Sequence, residues 1–73
     1  MYYGKRSPHF WWKFDIDNNK IIIKSNNAKY PVIRKIHLPN KDASNEIDVA
    51  EKFIDDLISG RLNIKDAFNK YKE

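Results

Sequence analysis

The stretch from Phe10 to Ile16 constrains the fold of this chain more than any other part of the sequence. Its seven residues, FWWKFDI, contain both tryptophans and two of the four phenylalanines. Side chains alternate between the two faces of a β-strand, so this stretch separates into two sets. One face carries Phe10, Trp12, Phe14 and Ile16, and the other carries Trp11, Lys13 and Asp15. The first set is typical of a core, whereas a tryptophan beside a cation is unusual on a face that meets only water.

Two further segments predict strands that pair with the first one. Asp17–Lys20 is a turn signal, because asparagine tolerates the left-handed backbone conformation that a tight hairpin requires. Lys20–Ser25 is short and β-branched, which predicts the second strand, and a looser turn over 25–29 follows it. Tyr30–Leu38 predicts the third strand, and Pro31 near its start indicates an edge or a strand end. The three segments together predict an antiparallel meander.

Parity assigns the side chains of this sheet to two faces. If Trp12 and Phe14 face the core, the inward set of the other strands is Ile21, Ile23, Val32, Ile36 and Leu38. The outward set is then Trp11, Lys13, Lys20, Ile22, Lys24, Ile33, Lys35 and His37. A slip of one residue in the register would exchange the faces. Either assignment leaves one face on which lysines lie among apolar side chains.

Two helices are predicted after the polar loop of residues 40–45. Ser44 or Asn45 is the expected N-cap of the first helix, which then begins at Glu46. Apolar residues recur at intervals of three and four and predict its buried stripe: Ile47, Ala50, Phe53, Ile54, Leu57 and Ile58. Gly60 is the expected C-terminal stop. A second, short helix is expected after Asn63, with Ile64, Ala67, Phe68 and Tyr71 at helical spacing.

The predicted fold class is therefore α+β. A three-stranded antiparallel β-sheet, a meander, packs against a C-terminal α-helix, and a short terminal helix follows. Residues 10–73 are expected to form a single small domain. Residues 1–9 are expected to form a basic N-terminal arm, because Gly4 and Pro8 discourage regular structure.

Composition argues against several classes of function. The chain of 73 residues has no cysteine, so a disulfide framework and a zinc finger are excluded. Neither His9 nor His37 has metal-binding residues at ligand spacing, and no nucleophile and base pair is evident. We therefore expect a non-enzymatic protein with no metal and no cofactor. The longest apolar run is only Ile21–Ile23, so no membrane partner is expected, and we expect an intracellular, cytoplasmic location.

The charge of the chain is unevenly distributed, and this asymmetry favours a polyanionic partner. Residues 1–41 carry nine Lys/Arg against two acidic residues, for a net charge of +7. Residues 42–73 carry five against eight, for a net charge of −3. Double-stranded DNA is the expected partner of the basic half, bound through the outer face of the sheet and the arm. The alternative is a protein-interaction module, a small phage-type regulator or inhibitor that uses the same aromatic and basic face.

The candidate DNA-binding residues are seven lysines and arginines, one tryptophan and one histidine. Lysines at strand spacing would reach phosphates, and Arg34 or His37 would reach a base edge. Trp11 would pack against a sugar or a thymine methyl group. The full set is Lys5, Arg6, Trp11, Lys13, Lys20, Lys24, Arg34, Lys35 and His37. The competing interpretation of Trp11 is that it covers one edge of the core.

The order of these parts resembles that of a known family. A basic arm precedes the aromatic strand WWKF at 11–14, and a hairpin and a third strand follow. The helix segment VAEKF at 49–53, the sequence SGR at 59–61 and the capped segment IKDAFNKY at 64–71 complete the series. This layout resembles the N-terminal arm-type, AP2-like DNA-binding domain of tyrosine recombinases, the integrases of phages and transposons.

The resemblance implies a particular mode of DNA binding. In that family a three-stranded sheet, backed by a helix, inserts into the major groove. Carried over to this sequence, the resemblance gives contact roles to Lys13, Lys24, Arg34 and Lys35, with Lys5 and Arg6 in the arm. The Thr-Lys pair common before the helix in that family is missing here, and the third strand is long. The chain has no room for the catalytic residues of a recombinase.

Overall fold

A computed structural model describes residues 3–5, 8–40 and 42–72, and for residues 3–5 it describes the backbone alone. Four strands and two helices follow one another along the chain. The strands are β1 (Tyr3–Lys5), β2 (Phe10–Asp15), β3 (Lys20–Ser25) and β4 (Val32–His37). The helices are α1 (Ser44–Ser59) and α2 (Ile64–Tyr71).

The predicted α+β fold is confirmed. The three predicted strands are β2, β3 and β4, and they form an antiparallel meander against which both helices pack. In the β2–β3 turn, Asn19 has a φ of 57° and its N–H donates to the Ile16 carbonyl oxygen at 3.2 Å. The left-handed conformation thus falls on an asparagine, as the sequence predicted.

The sheet also contains a strand that the sequence did not predict. Tyr3–Lys5, in the segment expected to form an irregular arm, pairs antiparallel with β2 and extends the sheet to the order β1-β2-β3-β4. A free edge of β2 offers unpaired backbone groups, and three residues suffice to satisfy some of them. Gly4 lies opposite Trp12 within this pairing. A glycine weakens a strand but does not prevent it from forming. The rest of the predicted arm, apart from Pro8 and His9, lies outside the described residues.

The core lies between the sheet and the helices. It contains Trp12, Ile21, Ile23, Ile33, Ala50, Phe53, Ile54, Leu57 and Ala67. The Trp12 side chain is 1% exposed, and its indole N–H donates to a Glu51 carboxylate oxygen at 3.4 Å. This hydrogen bond gives the polar atom of a buried ring a partner. The apolar stripe of α1 is confirmed except at Ile58, which is 49% exposed.

A β-bulge in β4 makes the predicted parity of that strand partly wrong. Ile23 lies opposite Arg34 and Lys24 lies opposite Val32, so Ile33 is an extra residue between two pairs. Ile33 was expected on the outer face, but it is 1% exposed and belongs to the core. Val32 was expected inside, but it lies opposite Lys24 on the outer face.

The two helices begin with different caps. The N-cap of α1 is Ala43, with no capping hydrogen bond from its side chain, so the predicted cap at Ser44 or Asn45 is wrong. The Asp42 carboxylate instead accepts the Ser44 N–H at 3.1 Å. In α2 the predicted cap is confirmed, because Asn63 Oδ1 accepts the backbone N–H of Lys65 at 2.9 Å and that of Asp66 at 3.4 Å. Gly60 ends α1 with a φ of 86°.

Candidate nucleic-acid interface

The face of the sheet opposite the helices is the candidate interface, and it is termed the outer face below. Paired residues of an antiparallel sheet point to the same side, so the strand register identifies its members. In β2 to β4 they are Trp11, Lys13, Asp15, Lys20, Ile22, Lys24, Val32, Lys35 and His37. In β1 the backbone of Tyr3 pairs with that of Lys13, and the backbone of Lys5 pairs with that of Trp11.

Ile22 is the centre of a cross of four lysine positions on the outer face. Lys13 and Lys35 lie opposite Ile22 on the two neighbouring strands. Lys20 and Lys24 lie two residues before and after it on β3 itself. Cross-strand neighbours have Cβ atoms about 5 Å apart, and residues two apart on one strand are separated by about 7 Å. Four lysine positions are therefore close together on one side of the sheet.

Trp11 and His37 lie at opposite corners of this cross. Trp11 is half-buried and pairs with Lys24, whereas His37 is exposed and pairs with Lys20. The aromatic side chain and the cations predicted for this face are thus brought together by the fold. Asp15 is the acidic member of the face, and Asn18 Nδ2 donates to its carboxylate at 2.8 Å. Asp15 also lies directly opposite Lys20, so the four lysine positions and Asp15 together carry a net charge of +3.

Arg34 differs from the other predicted contact residues. It lies opposite Ile23, which is fully buried, and therefore points toward the helices. Its guanidinium carbon lies 4.0 Å from the ring centroid of Tyr71 and 5.1 Å from that of Phe53. The structure thus separates Arg34 from the outer-face cations. Residues two apart on a strand share a face, and Ile36 was predicted to face inward. The sequence therefore already indicated that Arg34 faces inward.

The N-terminal part of the predicted site is described only in part. The backbone of Lys5 lies in β1, next to Trp11. Arg6 lies outside the described residues. The sequence missed Val32 as a member of the outer face, because only the bulge in β4 places Val32 there.

In the part of the chain that the structure describes, no cluster of three or more His, Cys, Asp or Glu side chains is arranged to hold a metal ion. Within the same residues, neither helix has the length and apolar character needed to cross a lipid bilayer.

Comparisons with known proteins give no relationship for this chain. No protein-family model matches it, no curated protein matches it, and no solved structure matches it. The resemblance to arm-type integrase domains therefore stays a hypothesis that depends on the layout of the sequence alone.

Proposed function

We propose that this protein is a non-enzymatic double-stranded DNA-binding domain that uses the outer face of its sheet. One observation carries the proposal: the register groups Lys13, Lys20, Lys24 and Lys35 around Ile22, opposite the face on which the helices pack. A surface of this kind suits a polyanion, because each lysine that reaches a phosphate releases condensed counterions.

The part of the sheet formed by β2, β3 and β4 has dimensions compatible with the major groove. Strand axes lie about 4.8 Å apart, so these three strands span about 10 Å, whereas the full sheet with β1 spans about 14 Å and would leave β1 at the groove margin. The major groove is about 12 Å wide and admits β structure. In such a complex the lysines at the margins reach phosphates, while Ile22 and Trp11 lie toward the base pairs. Apolar groups there suit thymine methyl groups.

The acidic side chains of α1 add a second argument about orientation. Glu46, Asp48, Glu51, Asp55 and Asp56 all belong to this helix, which packs on the opposite side of the sheet. An acidic surface on the far side disfavours DNA there and leaves the outer face as the approach for a polyanion.

The test compares two double variants with equal changes of charge. Lys13→Gln/Lys24→Gln removes two cations from the outer face. Lys52→Gln/Lys65→Gln removes two exposed cations from the helices and is the control. Binding of a mixed-sequence 20-base-pair duplex at low salt is measured by fluorescence anisotropy. We expect the outer-face variant to lose about tenfold or more in affinity, and the control to change by less than about threefold.

Two results would contradict the proposal. One is no binding of the duplex by the unmodified protein at low salt. The other is an equal loss in both double variants, which would indicate diffuse attraction to net charge instead of a defined face. A matched single strand is measured in parallel, because stacking on Trp11 would favour it if single-stranded nucleic acid were the true ligand.

A further inference from the structure

The outer edge of β4 offers unused backbone hydrogen-bonding groups. β4 is the last strand of the sheet, so only β3 pairs with it. The Leu38 N–H donates to the Asn19 carbonyl oxygen at 2.9 Å, which fixes the alternation along the strand. Ile36 and Arg34 then direct their backbone groups toward β3, and Lys35 and His37 direct theirs outward. Among the described residues, no backbone hydrogen bond joins this edge to α2.

A groove of about 180 Å³ runs along this edge, between β4 and α2. Its walls are Val32, Ile33, Arg34, Lys35, Phe68, Tyr71 and Lys72. Val32 and Lys35 lie on the outer face, whereas Ile33 and Arg34 lie on the side of the helices, so a groove that touches all four lies at the strand edge. Backbone groups and side chains of β4 are therefore accessible from the same groove.

Arg34 gives the groove its chemical character. Its guanidinium group is held against the ring of Tyr71, at 4.0 Å from the centroid, as in a cation–π contact. Arg34 forms no ion pair within the described part of the chain. Three of the seven wall residues are basic and none is acidic. A half-buried arginine held in place by stacking is prepared to bind a carboxylate through two parallel hydrogen bonds.

We propose that the β4 edge binds an extended peptide segment that carries an acidic side chain. A polypeptide backbone supplies alternating donors and acceptors, which match the N–H and C=O groups of Lys35 and His37, whereas the backbone of a DNA duplex supplies acceptors alone. The peptide adds a strand to the sheet, and its carboxylate lies on Arg34. Pro31 and the bulge at Ile33 disrupt the start of the edge, so pairing is confined to about four residues from Arg34.

The probe is a synthetic peptide, acetyl-Thr-Val-Glu-Val-Thr-amide, compared with the same peptide carrying Gln in place of Glu. Binding is followed by NMR, with hydrogen exchange of the Lys35 and His37 amides as the readout of strand pairing. We expect the Glu peptide to slow exchange at both amides and to bind about tenfold more tightly than the Gln peptide. Arg34→Gln removes that difference, Arg34→Lys restores part of it, and Lys52→Gln leaves it unchanged.

The peptide pair keeps the test informative even if Arg34→Gln does not fold, because the two peptides are compared on the unmodified protein. Equal binding of the two peptides, or unchanged exchange at Lys35 and His37, would overturn the proposal. The exchange is also measured without peptide at several protein concentrations. If exchange at Lys35 and His37 becomes slower as the protein concentration rises, a second copy of the chain occupies the edge and the proposal is overturned. DNA binding by the outer face is a separate property, and neither result bears on it.

Discussion

At the scale of single residues, two adjacent isoleucines of β3 lie on opposite faces of the sheet. Ile22 and Ile23 are adjacent in β3, yet Ile23 is fully buried in the core while Ile22 is half-buried on the outer face. Alternation along the strand alone produces this difference. It also provides a matched pair for measuring how much of the stability depends on the core side of the sheet.

Ile23→Val is expected to lower the free energy of unfolding by about 0.5–1.5 kcal/mol, because it removes a methylene group from a packed interior. Ile22→Val removes the same group from the outer face and is expected to cost less than about 0.5 kcal/mol. Both values are measured by urea denaturation monitored by tryptophan fluorescence. Equal losses in the two variants would contradict the assignment of faces.

Asp42 is a second residue whose properties depend on an immediate neighbour. Its carboxylate accepts the Ser44 hydroxyl at 2.6 Å and the Ser44 N–H at 3.1 Å. The hydroxyl first, and then the backbone N–H, hold the pKa of Asp42 below its ordinary value of 3.8. A lowered carboxyl pKa stabilises the fold above the pKa of the unfolded chain, and this contribution is lost as the pH falls through the folded pKa.

Ser44→Ala removes the stronger of the two hydrogen bonds, so the pKa of Asp42 is expected to rise toward its ordinary value. The change is measured by an NMR titration of the Asp42 side-chain carboxyl. Ser59→Ala is the control, since its hydroxyl instead donates to the Asp56 carbonyl oxygen. A pKa that stays the same in Ser44→Ala would show that the hydroxyl does not hold the carboxylate in solution.

At the scale of elements, the two helices depend on different sources of stability. α1 has 16 residues and buries Ala50, Phe53, Ile54 and Leu57 against the sheet, so its packing compensates for an N-cap without a side-chain hydrogen bond. α2 has eight residues and buries only Ala67 fully. A helix this short is marginal by itself, so its cap and its ring contacts carry more weight.

Asn63→Ala is expected to lower the free energy of unfolding by about 1 kcal/mol, because the first N–H groups of α2 lose their acceptor. Asn45→Ala is the control: Asn45 is exposed within the first turn of α1, and alanine is the better helix former there. It is expected to be neutral or slightly stabilising. Thermal unfolding by circular dichroism distinguishes the two, and a loss in Asn45→Ala would restore it as the cap of α1.

At the scale of the whole molecule, the fold converts an asymmetry along the sequence into an asymmetry in space. The half with a net charge of +7 forms the strands, and the half with a net charge of −3 forms the helices on one side of them. The outer face of the sheet, opposite the acidic helix, thereby carries Lys13, Lys20, Lys24 and Lys35. Arg34 is the exception, because it lies on the same side of the sheet as the helices. Long-range attraction of a polyanion to one side follows from this separation.

The dependence of DNA binding on salt tests this arrangement. If four to six phosphates are neutralised, the logarithm of the binding constant should fall with the logarithm of salt concentration with a slope of about −4 to −5. Removing one outer-face lysine, in Lys24→Gln, should reduce the magnitude of the slope by about 0.9. A slope near zero would contradict this arrangement, because the lysines would then neutralise no phosphates. Salt-insensitive binding to a protein partner, unchanged by Lys24→Glu and Lys35→Glu, would favour the alternative function, a protein-interaction module that uses the same face.

The sequence alone determined most of the local structure. Aromatic and β-branched alternation placed β2 and β3, Asn19 marked the hairpin, and Asn63 and Gly60 marked helix ends, because each of these signals acts over a few residues. The lysines of β2 and β3 were assigned to one face for the same reason. Local pattern was sufficient wherever the backbone keeps a regular period. The expectation that Ile16 belongs to the core face is wrong, because β2 ends at Asp15 and Ile16 is 75% exposed.

Tertiary structure decided what depends on pairing between distant segments. The bulge that buries Ile33 and turns Val32 outward breaks the period of β4, and it places Ile33 in the core between the sheet and the helices. The pairing of Tyr3–Lys5 with β2 likewise depends on a free edge, which the residues of the arm do not encode. Arg34 lies against Tyr71 because β4 and α2, which are far apart in sequence, pack side by side, and the chain order records no such contact.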